Sequence, residues 1–186
     1  LRLCDQFSRT PAMVAKYGGW TSTQQAALKK YTGSSYGPMN KCLRKPSTCD
    51  SATIKSNESA AAGMRPLTTG IRVTRGSGWG AIPGLGSKAG LSDSEKIKQL
   101  QAMVGKLVRE PGFTSTSSAS SPAFGGPLKF IFDVPAGAPA AWVKSISHYG
   151  SENELLLAPG TKYRIKKVTP ASGYGPTVLE VEVVYP

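Results

Sequence analysis

The chain changes its character near residue 66. Before that point the clearest local pattern is helical, because residues 24–31 are mostly good helix formers and capping hydroxyls at 21–23 precede them. From residue 70 onward, short runs of apolar and β-branched residues are separated by loops rich in glycine, proline and serine. Helices followed by strands predict an α+β fold with a largely antiparallel sheet system. The same order disfavours a dinucleotide site of the Rossmann type, which needs alternating β-α units.

Helix-capping residues and hydrophobic periodicity predict where the individual helices and strands lie. Gly33 is expected to end the first helix. The capping box at 92–95 opens another helix, whose apolar stripe reaches Val108 before Pro111 stops it. Shorter helices are predicted over 39–43 and 60–62, and strands over 70–76, 113–117, 128–134, 142–146, 154–157, 162–168 and 178–184.

Length and composition indicate one globular domain. The chain has 186 residues, of which 39% are hydrophobic, and no run approaches the roughly 18 consecutive apolar residues of a membrane helix. We expect a single domain over 1–186, with a helical lobe at 1–66 and a β-rich core at 67–186. The chain starts at Leu1 rather than at a methionine, which suggests a piece cut from a longer protein.

The formal net charge of +12 raises the possibility of a nucleic-acid partner. The basic residues are spread out, however. The densest cluster, at 162–167, alternates as the solvent face of a strand does. An acidic protein partner would account for the charge equally well, so both alternatives stay open.

Cysteine and histidine are too few for the common site chemistries. The three cysteines are Cys4, Cys42 and Cys49; the last two could close a small loop, but the odd count favours reduced thiols. His148 is the only histidine, so a structural zinc site is not expected and a Ser-His-Asp triad would have to use it. The glycine-rich segment 76–90 matches neither the Walker spacing nor the dinucleotide fingerprint, and it is interpreted as a loop.

Two carboxylates lie at the start of an apolar strand. Glu152 and Glu154 are two positions apart and run into Leu155 to Leu157. Residues i and i+2 of a strand point to the same face of the sheet, so the side chains of Glu152 and Glu154 are expected to point into the same space. A paired carboxylate in a chain with only 11 acidic residues is a candidate for chemistry.

Three separate motifs carry candidate site residues. They are Arg75 at a strand end, the Ser-Thr-Ser run 115–117, and Glu152-Asn153-Glu154. In this order they resemble the R-S-E class of mono-ADP-ribosyltransferases, which includes clostridial binary toxins and cholera-type toxins. Further stretches resemble the same family in the same order, over about residues 22 to 168: the helical segment 31–44, the strand 69–76, Pro111 to Ser117, Phe124 with 128–137, and 147–165. The resemblance implies a helical N-terminal lobe, two packed and largely antiparallel sheets, and NAD as co-substrate without a metal.

The resemblance also implies roles for individual residues. Glu154 would stabilise the positive charge that develops on the ribose when nicotinamide leaves. Ser115 would donate a hydrogen bond to Glu154 and orient it, and Arg75 would hold a phosphate of NAD. By the same resemblance, Arg44 would contact the pyrophosphate of NAD and Asn40 would brace that region. The backbone at Gly76 would bind the carboxamide, and Phe124 would stack near the nicotinamide. Thr116 and Ser117 are further cofactor-binding candidates.

The acceptor is implied by Glu152, because glutamate at this position accompanies arginine acceptors in the family. A second carboxylate can bind a guanidinium bidentately and help to remove its proton. The alternatives are ADP-ribosylation of RNA or DNA, NAD hydrolysis, and an inactive binding module on the same fold. One departure is Gly125-Gly126-Pro127 after Phe124, where many relatives carry a basic residue that reaches a phosphate.

A biological setting follows from the resemblance as an expectation. The chain would be the C-terminal toxin part of a larger secreted or injected effector that modifies a target protein in the target-cell cytoplasm. If it acts against bacterial competitors, an acidic immunity protein would complement its basic surface.

Overall fold

The computed structural model describes residues 19–85, 90–118, 125–148 and 153–185. Within these residues the α-helices are α1 (Ser22–Lys30), α2 (Tyr36–Arg44), α3 (Ser51–Ala62) and α4 (Asp93–Ala102). The strands are β1 (Arg65–Pro66), β2 (Ile71–Ser77), β3 (Leu107–Arg109), β4 (Thr114–Ser117), β5 (Leu128–Val134), β6 (Pro139–Trp142), β7 (Glu154–Leu157), β8 (Lys162–Thr169) and β9 (Thr177–Val184). The predicted α+β class is confirmed. In the described part of the chain, no helix has the length and apolar character to cross a membrane.

The helices begin where the sequence places their caps. Thr21 accepts a hydrogen bond from the backbone N–H of Gln24, whose side chain accepts from Thr21 N–H in return. Ser92 and Glu95 form the same reciprocal pair at the start of α4. Between α1 and α2, a π-helical turn over Tyr31–Ser35 contains Gly33 in a non-helical conformation, so the chain kinks where the first helix was predicted to end.

The described strands form one sheet in the order β1-β6-β7-β4-β2-β5-β9-β8-β3, and every pairing is antiparallel except β5 with β9. Only one residue pair, Thr74 with Ser117, joins β2 to β4. The two sheets of the expected fold are therefore two halves of a continuous sheet. Their apolar faces meet in one core cluster, which contains Val73, Phe132 and Leu179 from one half and Leu155 and Leu157 from the other.

A second core cluster lies between the helices and the β4-β7-β6 half of the sheet. It contains Leu28, Tyr31 and Met39 from the helical segment, with Phe113 and Leu156 from the sheet. These side chains are at most 3% exposed, so apolar burial fixes the helical lobe against β4 and β7.

Three of the predicted segments are wrong in extent. The helix predicted over 60–62 starts much earlier and spans Ser51–Ala62, because Asp50 caps its N-terminus by accepting from Thr53 N–H. The helix that opens at Ser92 ends at Ala102, and the predicted helical residues 107–109 form strand β3 instead. Gly105 adopts a left-handed φ of 85° and donates its N–H to Ile165 O at 2.7 Å, so the chain turns out of the helix to pair with β8. The strand predicted over 142–146 is observed at Pro139–Trp142, because its partner β7 pairs with 140–142 and a turn follows.

A disulfide bond joins Cys42 to Cys49, so the prediction of reduced thiols at these positions is wrong. Cys42 lies in the last turn of α2, and a turn of 3₁₀ helix over Pro46–Thr48 brings the Cα atoms to 4.9 Å. The odd cysteine count misled the prediction, because a third cysteine does not prevent the other two from pairing. That third cysteine, Cys4, lies outside the described residues.

Reduction of this disulfide is expected to lower the free energy of unfolding by about 2 kcal/mol, because the short closed loop no longer restricts the unfolded chain. Urea unfolding with and without a thiol reductant measures the difference. The Cys42→Ser, Cys49→Ser double variant is the control, since the reductant should leave its midpoint unchanged. Equal midpoints for the oxidised and reduced wild type would contradict the expectation.

Candidate active site

A cleft of about 940 Å³ opens between the helical segment and the sheet. Its volume lies within the range of roughly 300–1,000 Å³ that is usual for ligand pockets. Five of the predicted site residues line it: Asn40, Arg75, Gly76, Ser115 and Glu154. The described residues that complete the lining are Tyr31, Thr32, Gly33, Ser34, Tyr36, Ser77, Gly78, Gly125 and His148.

The centre of the cleft is a hydrogen bond between two neighbouring strands. Ser115 Oγ donates to Glu154 Oε1 at 2.6 Å, and both residues are only 5% exposed. On the antiparallel pair β4-β7, Ser115 stands opposite Leu156 and Ser117 opposite Glu154, so Ser115 and Glu154 are diagonal neighbours on one face. The hydrogen bond that the sequence analysis expects is therefore present, and it fixes the direction of the carboxylate.

Arg75 comes from the adjacent strand β2. Its Nη1 donates to the backbone oxygen of Ser115 at 2.8 Å, which holds the half-buried guanidinium beside β4. Burial lowers the pKa of Arg75 below its ordinary value, and the carboxylates of Glu110 and Glu154 partly oppose that shift. A guanidinium stays protonated at neutral pH. The cleft thus holds a fixed positive charge, which suits an anionic group such as a phosphate.

Asn40 connects the helical segment to the start of β4. Its side-chain oxygen accepts from Phe113 N–H at 2.8 Å, and its amide nitrogen donates to Tyr31 Oη at 3.0 Å and to Phe113 O at 3.3 Å. Burial raises the pKa of Tyr31 to about 12, so its hydroxyl is neutral at physiological pH. Asn40 thus fixes the backbone of Phe113, two positions before Ser115, through both its N–H and its carbonyl oxygen.

Thr116, Ser117 and Arg44 do not line this cleft. Thr116 is fully buried and its hydroxyl donates to Leu155 O at 2.7 Å, while Ser117 is 1% exposed. Both hold the sheet together, so this placement does not favour contacts of their side chains with a ligand in the cleft. Arg44 is half exposed and donates from Nε to Glu110 Oε1 at 2.9 Å. Phe124 and Glu152 lie outside the described residues.

In the segment after Phe124, sterics require a glycine at position 126, whereas a Cβ on Gly125 would meet no atom within 4 Å. Gly126 has a φ of 133°, and a Cβ at this position would lie 2.5 Å from the backbone oxygen of Ser77. A side chain there would collide with the end of β2. Gly125 lines the cleft directly.

Several cleft residues were not predicted as site residues. Thr32, Gly33 and His148 face the cleft together, and a Cβ on Gly33 would lie 3.2 Å from the His148 ring. His148 N–H lies 3.4 Å from Thr32 Oγ1. The segment 31–37 carries part of the family resemblance, but no sequence pattern indicated that His148 lies against it. Among the described residues, no group of three or more histidine, cysteine, aspartate or glutamate side chains could hold a metal ion.

Asn153 enters β7 in a left-handed conformation, with φ of 45°. Asparagine tolerates this conformation better than most residues. The backbone N–H of Ser118 donates to Asn153 O at 3.3 Å, so the turn is tied to the end of β4. The backbone that carries Glu154 is therefore anchored to β4 immediately before the residue that bonds Ser115.

Comparisons with known proteins agree on one family. A model of the ADP-ribosyltransferase exoenzyme family matches residues 4–185. The epidermal cell differentiation inhibitor of Staphylococcus aureus is 32% identical over 83 residues, which are 42% of this chain and 34% of that protein. A Mycobacterium avium (strain 104) protein provisionally named NAD(+)–arginine ADP-ribosyltransferase Mav is 27% identical over 164 residues, 86% of this chain. The chain spans only 34% and 18% of the lengths of these curated relatives.

Solved structures agree with this assignment. Plx2a, an ADP-ribosyltransferase toxin from Paenibacillus larvae, superposes with a TM-score of 0.81 at 24% identity, over 94% of this chain and 91% of that one. The C3 exoenzyme of Clostridium limosum gives 0.78 at 24% identity, over 92% and 89%. C3stau2 from S. aureus, solved with NAD, gives 0.75 at 20% identity, over 99% and 96%. These likenesses show the fold. With a family model that covers nearly the whole sequence, the chain belongs to the ADP-ribosyltransferase exoenzyme family.

Proposed function

We propose that this protein is an NAD-dependent mono-ADP-ribosyltransferase that transfers ADP-ribose from NAD to an arginine side chain of a target protein and releases nicotinamide. The observation that carries the proposal is the buried Ser115–Glu154 hydrogen bond in a cleft lined by Arg75. A carboxylate and a guanidinium that flank Ser115 in one cleft match the needs of a donor that carries phosphates and develops positive charge on its ribose.

The residues of the cleft divide these tasks between them. NAD would supply the bond that breaks, between nicotinamide and ribose. The Glu154 carboxylate would face the ribose carbon on which positive charge develops, and Ser115 would keep that carboxylate in one orientation. Arg75, held by the backbone oxygen of Ser115, would neutralise a phosphate. The small residues Gly76 and Gly125 leave room for close approach of the donor to the backbone.

The choice of acceptor rests on Glu152, two positions before Glu154 in the sequence. A carboxylate there would bind an incoming guanidinium and take up the proton that the nucleophilic nitrogen loses as the new C–N bond forms. The name of the M. avium relative supports arginine as the acceptor class. The toxin names of the structural relatives support a protein that is delivered from its producing cell into a target cell.

A labelling experiment tests the proposal. The protein is incubated with NAD and a target-cell lysate, and mass spectrometry locates the ADP-ribose. We expect it on arginine side chains, and we expect Glu152→Gln to lower this transfer at least about 100-fold while nicotinamide release stays within about tenfold of wild type. Ser151→Ala, a neighbour of Glu152 in the sequence, serves as the matched control and should retain transfer.

Three other results would contradict the acceptor assignment. Label that is lost on nuclease treatment but not on protease treatment would indicate a nucleic-acid acceptor, which the charge of +12 keeps as an alternative. Nicotinamide release that is equally fast without any macromolecule would indicate an NAD glycohydrolase. An unchanged NAD pool would indicate an inactive binding module.

A further inference from the structure

Glu110 is a partly buried acidic side chain that has no task in the chemistry proposed above. It follows β3 and precedes β4, and its side chain is only 14% exposed. Its Oε1 accepts two hydrogen bonds, from Arg44 Nε at 2.9 Å and from the backbone N–H of Gly112 at 2.7 Å. One carboxylate oxygen thus connects the last turn of α2 with the segment that leads into Ser115.

The backbone of Glu110 is fixed as firmly as its side chain. Its N–H donates to Thr161 O at 3.0 Å, and its carbonyl accepts from Gly160 N–H at 2.8 Å. An exposed ion pair on flexible side chains contributes little, because ordering the side chains costs entropy. Here the acidic partner is already ordered, so the pair can set the orientation of Arg44 at a smaller entropic cost.

The charges around Glu110 also favour a function. Glu110, Arg44 and Arg75 line a common cavity of about 40 Å³ beside the main cleft. Arg44 lowers the pKa of Arg75 and Glu110 raises it, so the two guanidinium groups repel each other and the carboxylate offsets that repulsion. Without Glu110, Arg44 would be free to turn away from Arg75 into solvent.

We propose that Glu110 is a positioning residue. By accepting the hydrogen bond from Arg44 Nε, it orients the Arg44 guanidinium so that the two terminal nitrogens face a phosphate of the donor. The inference rests on the proposed function. A guanidinium carries five N–H donors in a rigid fork, and holding Nε leaves the terminal nitrogens able to bind an anion bidentately. No other hydrogen bond of the Arg44 side chain is found within the described residues.

Binding and turnover separate this role from a general effect on the fold. Glu110→Gln keeps an oxygen that can accept from Gly112 N–H but removes the charge that holds Arg44. We expect the Kd for NAD, measured by calorimetry, to rise about five- to tenfold, and the maximal rate of nicotinamide release to stay within about twofold. Asp133→Asn is the matched control, because Asp133 forms an exposed pair with Arg72 at 2.7 Å away from the cleft lining, and its Kd should not change.

A double-mutant cycle with Arg44→Ala decides whether Glu110 acts through Arg44. In the Arg44→Ala background, Glu110→Gln should change the Kd for NAD less than about twofold, since the side chain it positions is gone. If the glutamine of Glu110→Gln still accepts the hydrogen bond from Arg44, the Glu110→Ala variant provides the same test.

Each remaining outcome overturns the inference in a recognisable way. Loss of affinity that is equally large in the Arg44→Ala background means that Glu110 acts on the fold and not through Arg44. If both Glu110 variants bind NAD with the Kd of the wild type, the inference is refuted and the proposed function is not. A wild type that neither binds nor cleaves NAD refutes the proposed function and this inference together.

Discussion

Glu154→Gln is expected to lower the rate of nicotinamide release by roughly 10³-fold while the protein remains folded. The glutamine has the shape of the glutamate, and its oxygen can still accept the hydrogen bond from Ser115. What it lacks is the negative charge that would stabilise a cationic ribose, and a fixed charge in a site shielded from water has a large effect on a transition state. The measurement is the rate of nicotinamide release at saturating NAD, followed by chromatography.

Two controls make the result interpretable. Glu182→Gln removes an exposed carboxylate that pairs with Lys166 at 3.6 Å on β9, and its rate should equal that of the wild type. Ser115→Ala leaves the Glu154 charge but removes the hydrogen bond that orients it, so an intermediate loss of about 10- to 100-fold is expected. A Glu154→Gln variant that keeps more than a tenth of the wild-type rate would exclude Glu154 from the role proposed for it.

Arg75→Lys is expected to lower kcat/KM for NAD about 100-fold, although the charge is retained. The planar guanidinium donates to Ser115 O from one nitrogen, and its rigid fork of N–H groups has the geometry that binds a phosphate. A lysine ammonium is a single point on a flexible chain, so it cannot make both contacts in a fixed geometry. Steady-state kinetics with varied NAD should show that most of the loss lies in KM, because a phosphate contact is made in the ground state as well.

Arg72→Lys is the matched control for this substitution. Arg72 lies on the same strand three residues earlier, and it forms an exposed two-point pair with Asp133 at 2.7 and 3.0 Å. Exposed pairs of this kind contribute about 0–1 kcal/mol, so neither activity nor stability should change noticeably. If Arg75→Lys and Arg72→Lys behaved alike, the position of Arg75 in the cleft would have no part in donor binding.

The sequence predicted the part of the site that depends on strand periodicity and on the order of motifs. Strand β7 was predicted at its observed bounds, and the expected hydrogen bond from Ser115 to Glu154 is present. The prediction was less accurate where a short polar segment forms hydrogen bonds within the sheet and does not face the cleft. Thr116 belongs to the same Ser-Thr-Ser run as Ser115, but alternation along β4 turns its hydroxyl toward Leu155 O.

Glu110 illustrates a site residue that sequence analysis could not find. In the sequence it is one acidic residue before Pro-Gly, and nothing in its neighbours links it to Arg44, 66 positions earlier. The contact exists because β3 pairs with β8 and the segment after it is tied to residues 160 and 161. The Cys42–Cys49 bond escaped prediction for a related reason, because cysteine number and spacing say little about the turn that joins the two sulfurs.

The sequence by itself determined the α+β class, the caps of α1 and α4 and the family, because each depends on local periodicity or on the linear order of motifs. Only the tertiary structure decided that β4 lies between β7 and β2, which brings Ser115 against both Glu154 and Arg75. It also decided that the chain leaves α4 early to form β3. The strand pairs β4-β7 and β2-β4 join residues that are far apart in the sequence, such as Ser117 with Glu154. This pairing is set by burial of shared apolar faces, and no local pattern contains that information.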